Sequence, residues 1–413
     1  MYQSSKASAR EHDGSAPHGL LWVAIGFCWA PVSFPALLCV FVLEWRSWHL
    51  SLIRQSVTGG FAKSLVLLAF LAVYFGIRGL HDTAGAEVVI MVYRTMSLWL
   101  LYLFAFAHGR EISDGYRVIA FYCIGMLIKS AWVVGTTLAI DPVVVAGRGL
   151  LDPFTGEIVN SPGYSNMAAL AALAAIGGLV GKNLMVGWRS GNRLLLGVVC
   201  VVALGIAIVL QARTFFLLVA VAIGMVLWRF RKAAFLSFVL AVSVVTSLIL
   251  LFGDNLVQEL GIGGSEAALV RGVAERFSEE GLESPRYEAW LYGLGHILEE
   301  PGGGIQLDRN LFGTRWFHNL WLDVARTSGL LAMILLVAFQ VVHVKDFVAL
   351  AARSKAHPGA FALIVLLIGT LAVVSTSVPL EGDLCIFGLF VLLHGVIAGL
   401  RGSMARTGPV LGR

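Results

Sequence analysis

Eleven long apolar runs dominate this chain, and little except short polar turns separates most of them. A bilayer offers no water to exposed backbone groups, so a chain can cross it one segment at a time only as a helix. Hydrophobic residues make up 58% of the sequence and charged residues 13%, which excludes a soluble protein of this length. The sequence therefore predicts an all-α, polytopic membrane protein. The runs cover residues 20–43, 64–77, 86–107, 116–140, 164–181, 194–210, 214–228, 234–252, 319–342, 360–379 and 385–400.

Lysine and arginine are concentrated in every second connection between these runs, a bias that marks the cytoplasmic side of a membrane protein. The segments 141–163 and 253–317 are then predicted to face the opposite compartment. These basic loops also explain the net charge of +5, so no nucleic-acid partner is expected. The basic connections are 44–63, 109–117, 182–193, 229–232, 345–355 and 401–413.

The first apolar run decides the number of spans. Pro31 and Pro35 in its middle favour a hairpin of two short helices, which keeps the basic N-terminus inside and gives about twelve transmembrane helices. A single span there would give eleven. The predicted organisation is therefore nine helices in 1–252, a large external loop in 253–317, and three helices with a cytoplasmic tail in 318–413.

The external loop is predicted to carry two helices that lie over the membrane surface. The first follows Ser265, which suits an N-cap, with the sequence EAALVRGVAERFSEE. The second starts at Pro285 and reads RYEAWLYGLGHILEE, with leucines at helical spacing. Pro301 and the three glycines that follow are expected to end it.

The arginines of this loop are candidate anion-binding side chains, although the loop as a whole is acidic, with eleven Asp and Glu against five Arg. Arg271 and Arg276 each precede a glutamate by four residues, which is typical of surface ion pairs. Arg286 opens the second helix, where first-turn amides and the macrodipole favour an anion. Pairing of Arg286 with Glu283 is the alternative.

Arg315 precedes His318 by three residues and, like Arg309, flanks a loop that leads to this histidine. Both arginines suit either a substrate contact or snorkelling at the membrane edge. Arg213 lies in a tight connection between two apolar runs with no acidic neighbour in the sequence, where it is either a membrane anchor or an anion ligand. Arg148, in the segment 141–163, is a weaker candidate of the same kind.

Four ionisable side chains fall inside apolar runs, where a charge costs several kcal/mol unless it is paired or reaches water. Asp323 and Arg326 are three residues apart on one predicted helix and are expected to pair. Arg94 lies about eight residues from the external end of its run, deep enough to reach a lipid headgroup. Lys129 is nearer the middle of its run and has no obvious partner in the sequence.

The segment HNLWLDVARTSGLLA, residues 318–332, resembles the signature of the O-antigen ligase and polymerase superfamily. In that family a His followed by Asn, Ser or Gln precedes nine residues and then Gly-x-x-Gly. His318, Asn319 and Gly329 match this pattern, and Ala332 replaces the last glycine with another small residue. The segments GYSNMAAL and QARTFF and the position of the large loop before the histidine agree with the resemblance. The family's arginine–leucine motif is matched loosely, by Arg286 and a leucine one residue late.

The resemblance implies a GT-C-like glycosyltransferase in the bacterial inner membrane, with its active site facing the periplasm. The implied donor is O-antigen on undecaprenyl diphosphate, and the implied acceptor is a sugar of the lipid A core. Membrane lipids are the other expected partners, and no nucleic acid is expected to bind. Polymerases of this superfamily usually carry Arg, ten residues and Gly in their loops. No such glycine follows Arg148, Arg286 or Arg309, which favours a ligase over the alternatives of a polymerase or a transporter of lipid-linked glycans.

The implied chemistry needs charge neutralisation on the departing diphosphate and removal of a proton from the acceptor hydroxyl. Arg213 and Arg286 are expected to grip the diphosphate, because arginine is always charged and binds phosphate oxygens bidentately. His318 is expected to act as the general base or to contact the diphosphate. The substrate-binding candidates around these three residues are Arg148, Arg315, Asn319 and Arg94. No cofactor and no metal are expected, the pair Glu381 and Asp383 being a minor alternative.

Overall fold

The computed structural model describes most of the predicted membrane-spanning part and the second helix of the external loop. The first apolar run, nearly all of the run 234–252 and the predicted helix after Ser265 lie outside the described residues. The described residues are 60–81, 85–109, 111–140, 149–153, 156, 158–180, 191–210, 212–231, 234, 237, 285–307, 316–354, 357–377, 379–380 and 384–404.

The described chain is mostly helical, as the apolar runs predicted. Six of its helical stretches are long and apolar enough to cross a membrane, and two shorter apolar helices accompany them. The count of twelve spans stays a prediction. The helices are α1 (Gly60–His81), α2 (Gly85–His108), α3 (Ile112–Ile140), α4 (Ser161–Val180), α5 (Gly191–Val209), α6 (Arg213–Phe230), α7 (Pro285–His296), α8 (Leu320–Val341), α9 (Val344–Ser354), α10 (Pro358–Val374) and α11 (Leu384–Met404).

One small antiparallel hairpin departs from the all-α prediction. Strand β1 (Gly149–Leu151) pairs with β2 (Ile158–Asn160), with Leu150 opposite Val159. The backbone N–H of Leu151 donates to Thr137 Oγ1 on α3 at 2.9 Å. The hairpin therefore sits on the end of α3, in a connection that the sequence indicated only as external.

Helix α11 forms the centre of the bundle and packs most extensively against α2. Glycines allow the two backbones to approach closely, because a Cβ on Gly395 would lie 2.7 Å from the carbonyl oxygen of Tyr102, and one on Gly399 would lie 2.4 Å from that of Phe106. Small residues at such crossings are the usual means of packing helices in a membrane. On either side, α8 packs against α1, while α4 contacts α3, α5, α6 and α10.

A buried ion-pair cluster joins three helices at one end of the bundle. The fully buried carboxylate of Asp346, in the first turn of α9, accepts hydrogen bonds from Lys63 Nζ on α1 and from Arg401 Nη1 on α11, the latter at 2.9 Å. The start of α1, the start of α9 and the end of α11 thus lie together. All three lie in or beside connections that the sequence analysis predicted to be cytoplasmic, and this sidedness stays a prediction.

Candidate functional site

The helix that follows His318 is broken, whereas the sequence predicted one continuous span over 319–342. Gly329 has φ 82° and ψ 179°, so the helical backbone stops there and restarts at Leu330. Trp321 Nε1 donates to Gln340 Oε1 at 2.9 Å although the two residues are 19 positions apart. A straight helix would separate them by about 28 Å, more than the two side chains can bridge. The segments 320–328 and 330–341 are therefore sharply bent toward each other.

The loop 301–305, from the segment predicted to be external, fills this break. Pro301 O accepts the N–H of Leu330 at 2.8 Å, and the carbonyl of Arg326 accepts the N–H groups of Gly304 at 2.7 Å and Ile305 at 3.2 Å. Backbone groups released by the break are thus satisfied by the loop, which is the condition for irregular backbone at membrane depth.

Gly329 is needed at the break for two separate reasons. Its positive φ is strained for residues with a side chain, and a Cβ there would lie 2.3 Å from Pro301 O. This motif glycine therefore lies against the backbone of the loop 301–305. Ala332, at the position of the second motif glycine, is fully buried.

His318 stands at the N-terminal end of this broken helix, in a tight turn. Its φ of 52° is the only positive φ of a non-glycine residue in the described part of the chain. Left-handed backbone is unfavourable for residues with a Cβ and is found where the surroundings enforce it, often at functional sites. The side chain is half-buried. The residue that the family motif singled out is therefore also the one with the least ordinary backbone.

Asn319 is the N-cap of α8. Its side chain accepts the N–H of Leu322 at 3.2 Å, and its Nδ2 lies 3.4 Å from the carbonyl oxygen of Ser375, which follows α10. Both polar atoms of the amide thus contact the protein itself. The substrate-binding role suggested for Asn319 stays a prediction, while its structural role in starting the helix is established.

Asp323 and Arg326 form the ion pair that their spacing predicted. Arg326 Nε lies 3.6 Å from Asp323 Oδ1, and the guanidinium carbon is 4.2 Å from the centre of the Trp316 ring. Asp323 is 4% exposed, and its two oxygens also accept the backbone N–H groups of Phe317 at 2.9 Å and Asn319 at 3.0 Å. These last two bonds were not predicted from the sequence.

Helix α7 holds the other side of the turn. It begins at Pro285, as predicted, but ends at His296 rather than near Glu300, and a backbone turn continues to Pro301. Gly293 and Gly295 weaken the end of the helix, and Pro301 disfavours helical backbone in the residue before it.

Phe317 anchors α7 to the turn. Its carbonyl accepts Trp290 Nε1 at 2.6 Å, and its fully buried ring occupies the space that a side chain on Gly293 would need. Around it is a small apolar core shared by α7, the loop and α8. This core comprises Ala289, Ile297, Ile305, Leu307, Phe317, Leu322 and Ala325.

Arg213 is the first residue of α6 and is half-buried. The rings of Phe230 at the other end of α6 and Phe361 near the start of α10 are 5.8 Å apart. The two helices pack against each other, so the start of α6 lies at the same end of the bundle as the end of α10. That end of α10 is where Asn319 meets Ser375. The predicted diphosphate ligand and the predicted histidine are therefore at one end of the molecule.

The remaining candidates are less defined. Arg286 lies in the first turn of α7, as predicted, but its side chain is not among those that the structure describes. Arg148 and Arg315 lie outside the described residues altogether. Arg94 is half-buried on α2. Lys129 does have a partner, contrary to the impression from the sequence, because its Nζ donates to Cys385 Sγ at 3.6 Å.

A metal site is not formed by the described residues, among which no group of three or more His, Cys, Asp or Glu side chains is placed to hold an ion. The minor alternative at Glu381 and Asp383 lies outside them. The expectation of a metal-free site accordingly stays a prediction.

Comparison with known proteins adds no assignment, since the chain matches no protein-family model and no curated protein significantly.

Besides the two backbone bonds of Asp323, two contacts around the break in α8 were not predicted from the sequence. One is the docking of the loop 301–305, for which the glycine triplet and the motif glycine Gly329 were the available signals. The other is the contact of Trp316 with Arg326. Trp316 is adjacent to the apolar Phe317, and nothing in its spacing distinguishes it from an ordinary interfacial aromatic residue.

Proposed function

We propose that this chain is a glycosyltransferase of the O-antigen ligase type. It would join a glycan carried on undecaprenyl diphosphate to a sugar hydroxyl of the lipid A core, at the periplasmic face of the bacterial inner membrane. The proposal includes about twelve spans and a GT-C-like architecture. The observation that carries it is the turn at His318, where a residue of the motif adopts strained backbone at the start of a broken helix.

Broken helices suit this chemistry for a physical reason. Irregular backbone within a membrane protein is tolerated where it is buried or lines a polar cavity, and transporters use such helices to bind polar substrates. A lipid-linked diphosphate needs the same combination of an apolar surround for its tail and fixed polar groups for its head.

The proposed reaction forms a bond between the acceptor oxygen and the anomeric carbon of the donor sugar, while the bond from that carbon to the diphosphate breaks. The acceptor proton passes to His318 or, if this residue instead contacts the diphosphate, to the departing phosphate. Arg213 and Arg286 neutralise the charge that grows on the leaving group. The broken phosphate ester supplies the energy, so the reaction consumes neither ATP nor a nucleotide sugar.

Arg213 offers the clearest test of the phosphate-binding part of this mechanism. Loss of a donor that stabilises developing charge typically lowers the rate by ~10²-fold or more, and we expect this of Arg213→Ala and of Arg286→Ala. O-antigen attachment would be measured in a strain lacking the chromosomal gene. Arg271→Ala, which removes an arginine predicted to form a surface pair, serves as the matched control. Near-normal O-antigen attachment by both Arg213→Ala and Arg286→Ala would reject the proposal that these arginines bind the diphosphate.

The alternatives are separated by the product formed. Purified protein would be reconstituted with lipid-linked donor and rough lipopolysaccharide, and the lipids resolved on a gel. A ladder on lipopolysaccharide supports a ligase, and longer chains still on the polyprenyl carrier indicate a polymerase. Lipid movement without a new glycosidic bond indicates a transporter. Activity lost with a chelator and restored by Mn²⁺ would contradict the metal-free mechanism.

A further inference from the structure

The carboxylate of Asp323 bonds the backbone on both sides of His318. Its Oδ1 accepts the N–H of Phe317 at 2.9 Å and its Oδ2 accepts the N–H of Asn319 at 3.0 Å. The bond to Asn319 fixes the peptide plane that follows the histidine, and the bond to Phe317 fixes the plane between residues 316 and 317. The plane between residues 317 and 318 is held by the carbonyl of Phe317, which accepts Trp290 Nε1 at 2.6 Å. Between these fixed planes His318 is held at a φ of 52°, a conformation that a residue with a Cβ seldom adopts unless its surroundings enforce it.

Ordinary helix capping does not account for this arrangement. An acid in the first turn is favourable near a helix N-terminus, but the N-cap of α8 is already supplied by Asn319, whose side chain accepts the N–H of Leu322. Asp323 reaches back past this cap to Phe317, two residues before it. The carboxylate thus shapes the turn that precedes the helix as well as supporting the helix itself.

A second layer of contacts holds Asp323 in place. Arg326 Nε lies 3.6 Å from Oδ1, and its guanidinium stacks on the ring of Trp316. The carbonyl of Arg326 accepts two N–H groups from the docked loop 301–305. The position of the carboxylate is therefore linked to the break in α8 and to the external loop that fills it.

We propose that Asp323 is a positioning residue, which sets the direction of the His318 side chain without itself contacting substrate. The proposal rests on the role in transfer proposed for His318. An ionised carboxylate is required, because only it can accept from both flanking N–H groups with two acceptor oxygens and no donor. In Asp323→Asn one of these oxygens becomes an NH₂ donor that faces a backbone N–H.

The kinetic test compares Asp323→Asn with Asp346→Asn in the reconstituted transfer assay. A misplacement of about 1 Å in a catalytic group can cost ~10²-fold in rate, so we expect Asp323→Asn to lower kcat by at least ~10-fold and to leave the KM of the lipid-linked donor nearly unchanged. Asp346→Asn alters an equally buried carboxylate at the other end of the bundle and controls for general loss of stability. A raised KM with unchanged kcat, or an equal loss of kcat in both variants, would overturn the proposal.

A second measurement reports on the turn without relying on transfer. His318→Cys would be placed in a chain whose five native cysteines are replaced by alanine, and labelled with a membrane-impermeant maleimide. If that chain does not fold, His318→Cys is made in the protein that keeps its native cysteines. Labelling of the unsubstituted protein is then subtracted as the blank. We expect Asp323→Asn to change the labelling rate several-fold and Asp346→Asn to leave it unchanged.

The two readouts distinguish the two proposals. Unchanged labelling and unchanged kcat in Asp323→Asn would contradict the positioning role. A changed labelling rate, combined with full transfer by His318→Ala, would instead support Asp323 as the residue that shapes the turn and reject the proposed function of His318.

Discussion

Two buried aspartates, Asp346 and Asp323, serve opposite ends of the bundle in different ways. Asp346 bonds two cations that belong to other helices, 283 and 55 residues away in the chain. Asp323 has three partners within six residues of itself, and two of these contacts are with backbone N–H groups. A carboxylate bonded across long sequence separations ties helices together. A carboxylate bonded to backbone close by in the chain, as Asp323 is, instead holds the neighbouring turn in a single conformation.

The largest effect is expected from removing both cations of the Asp346 cluster. The double variant Lys63→Ala with Arg401→Ala leaves a fully buried carboxylate without a positive partner. Breaking a buried pair in this way typically costs about 3–5 kcal/mol, so the unfolding temperature in detergent should fall markedly. The labelling rate of a cysteine at position 318 should stay the same at temperatures where the protein is folded. A change in that labelling rate would show that the two ends of the bundle are coupled, and would contradict the separate roles given to Asp346 and Asp323.

Gly329→Ala is expected to have an intermediate effect at the other end. The new Cβ would lie 2.3 Å from Pro301 O and the residue would need a positive φ, a conformation that costs about 1–3 kcal/mol. We expect the loop 301–305 to leave the break and to become sensitive to added protease. Gly295→Ala in α7 is the matched control, because a Cβ there meets no atom within 4 Å. Equal protease sensitivity in both variants would reject the docked loop.

The smallest effect concerns the turn itself. His318→Gly and His318→Ala both remove the imidazole, but only glycine relieves the left-handed strain. The glycine variant should therefore be more stable than the alanine variant by about 1 kcal/mol, measured by thermal unfolding of the purified proteins. Equal stability would mean that the turn is not strained and that Asp323 has little to enforce.

The sequence predicted the helix bundle far better than the break at Gly329 and the turn at His318. Hydropathy placed α2 over 86–107 and α3 over 116–140, within a few residues of the observed helices, because burial in lipid requires uninterrupted apolar runs. The pair of Asp323 and Arg326 also followed from helical spacing. Such regularities depend only on neighbours along the chain.

The break at Gly329 could not be predicted in the same way. The run 319–342 is apolar in its second half apart from Gln340, and hydropathy does not register a change in backbone direction. The break is stabilised by Pro301 and Gly304, which come from a loop more than twenty residues earlier and satisfy its backbone groups. The turn at His318 depends likewise on a carboxylate that reaches back against the direction of the helix, for which spacing rules give no signal.

The most direct test of the central claim, that the turn at His318 is where transfer takes place, is the rate of glycan transfer by purified His318→Ala. Labelled donor on undecaprenyl diphosphate and rough lipopolysaccharide would be supplied in excess, with Asp346→Asn measured alongside. The unsubstituted protein should form lipopolysaccharide-linked glycan, and His318→Ala should be slower by ~10²-fold or more, the usual contribution of a general base. Transfer by His318→Ala at the rate of the unsubstituted protein, or no glycosidic bond formed by either, would contradict the claim.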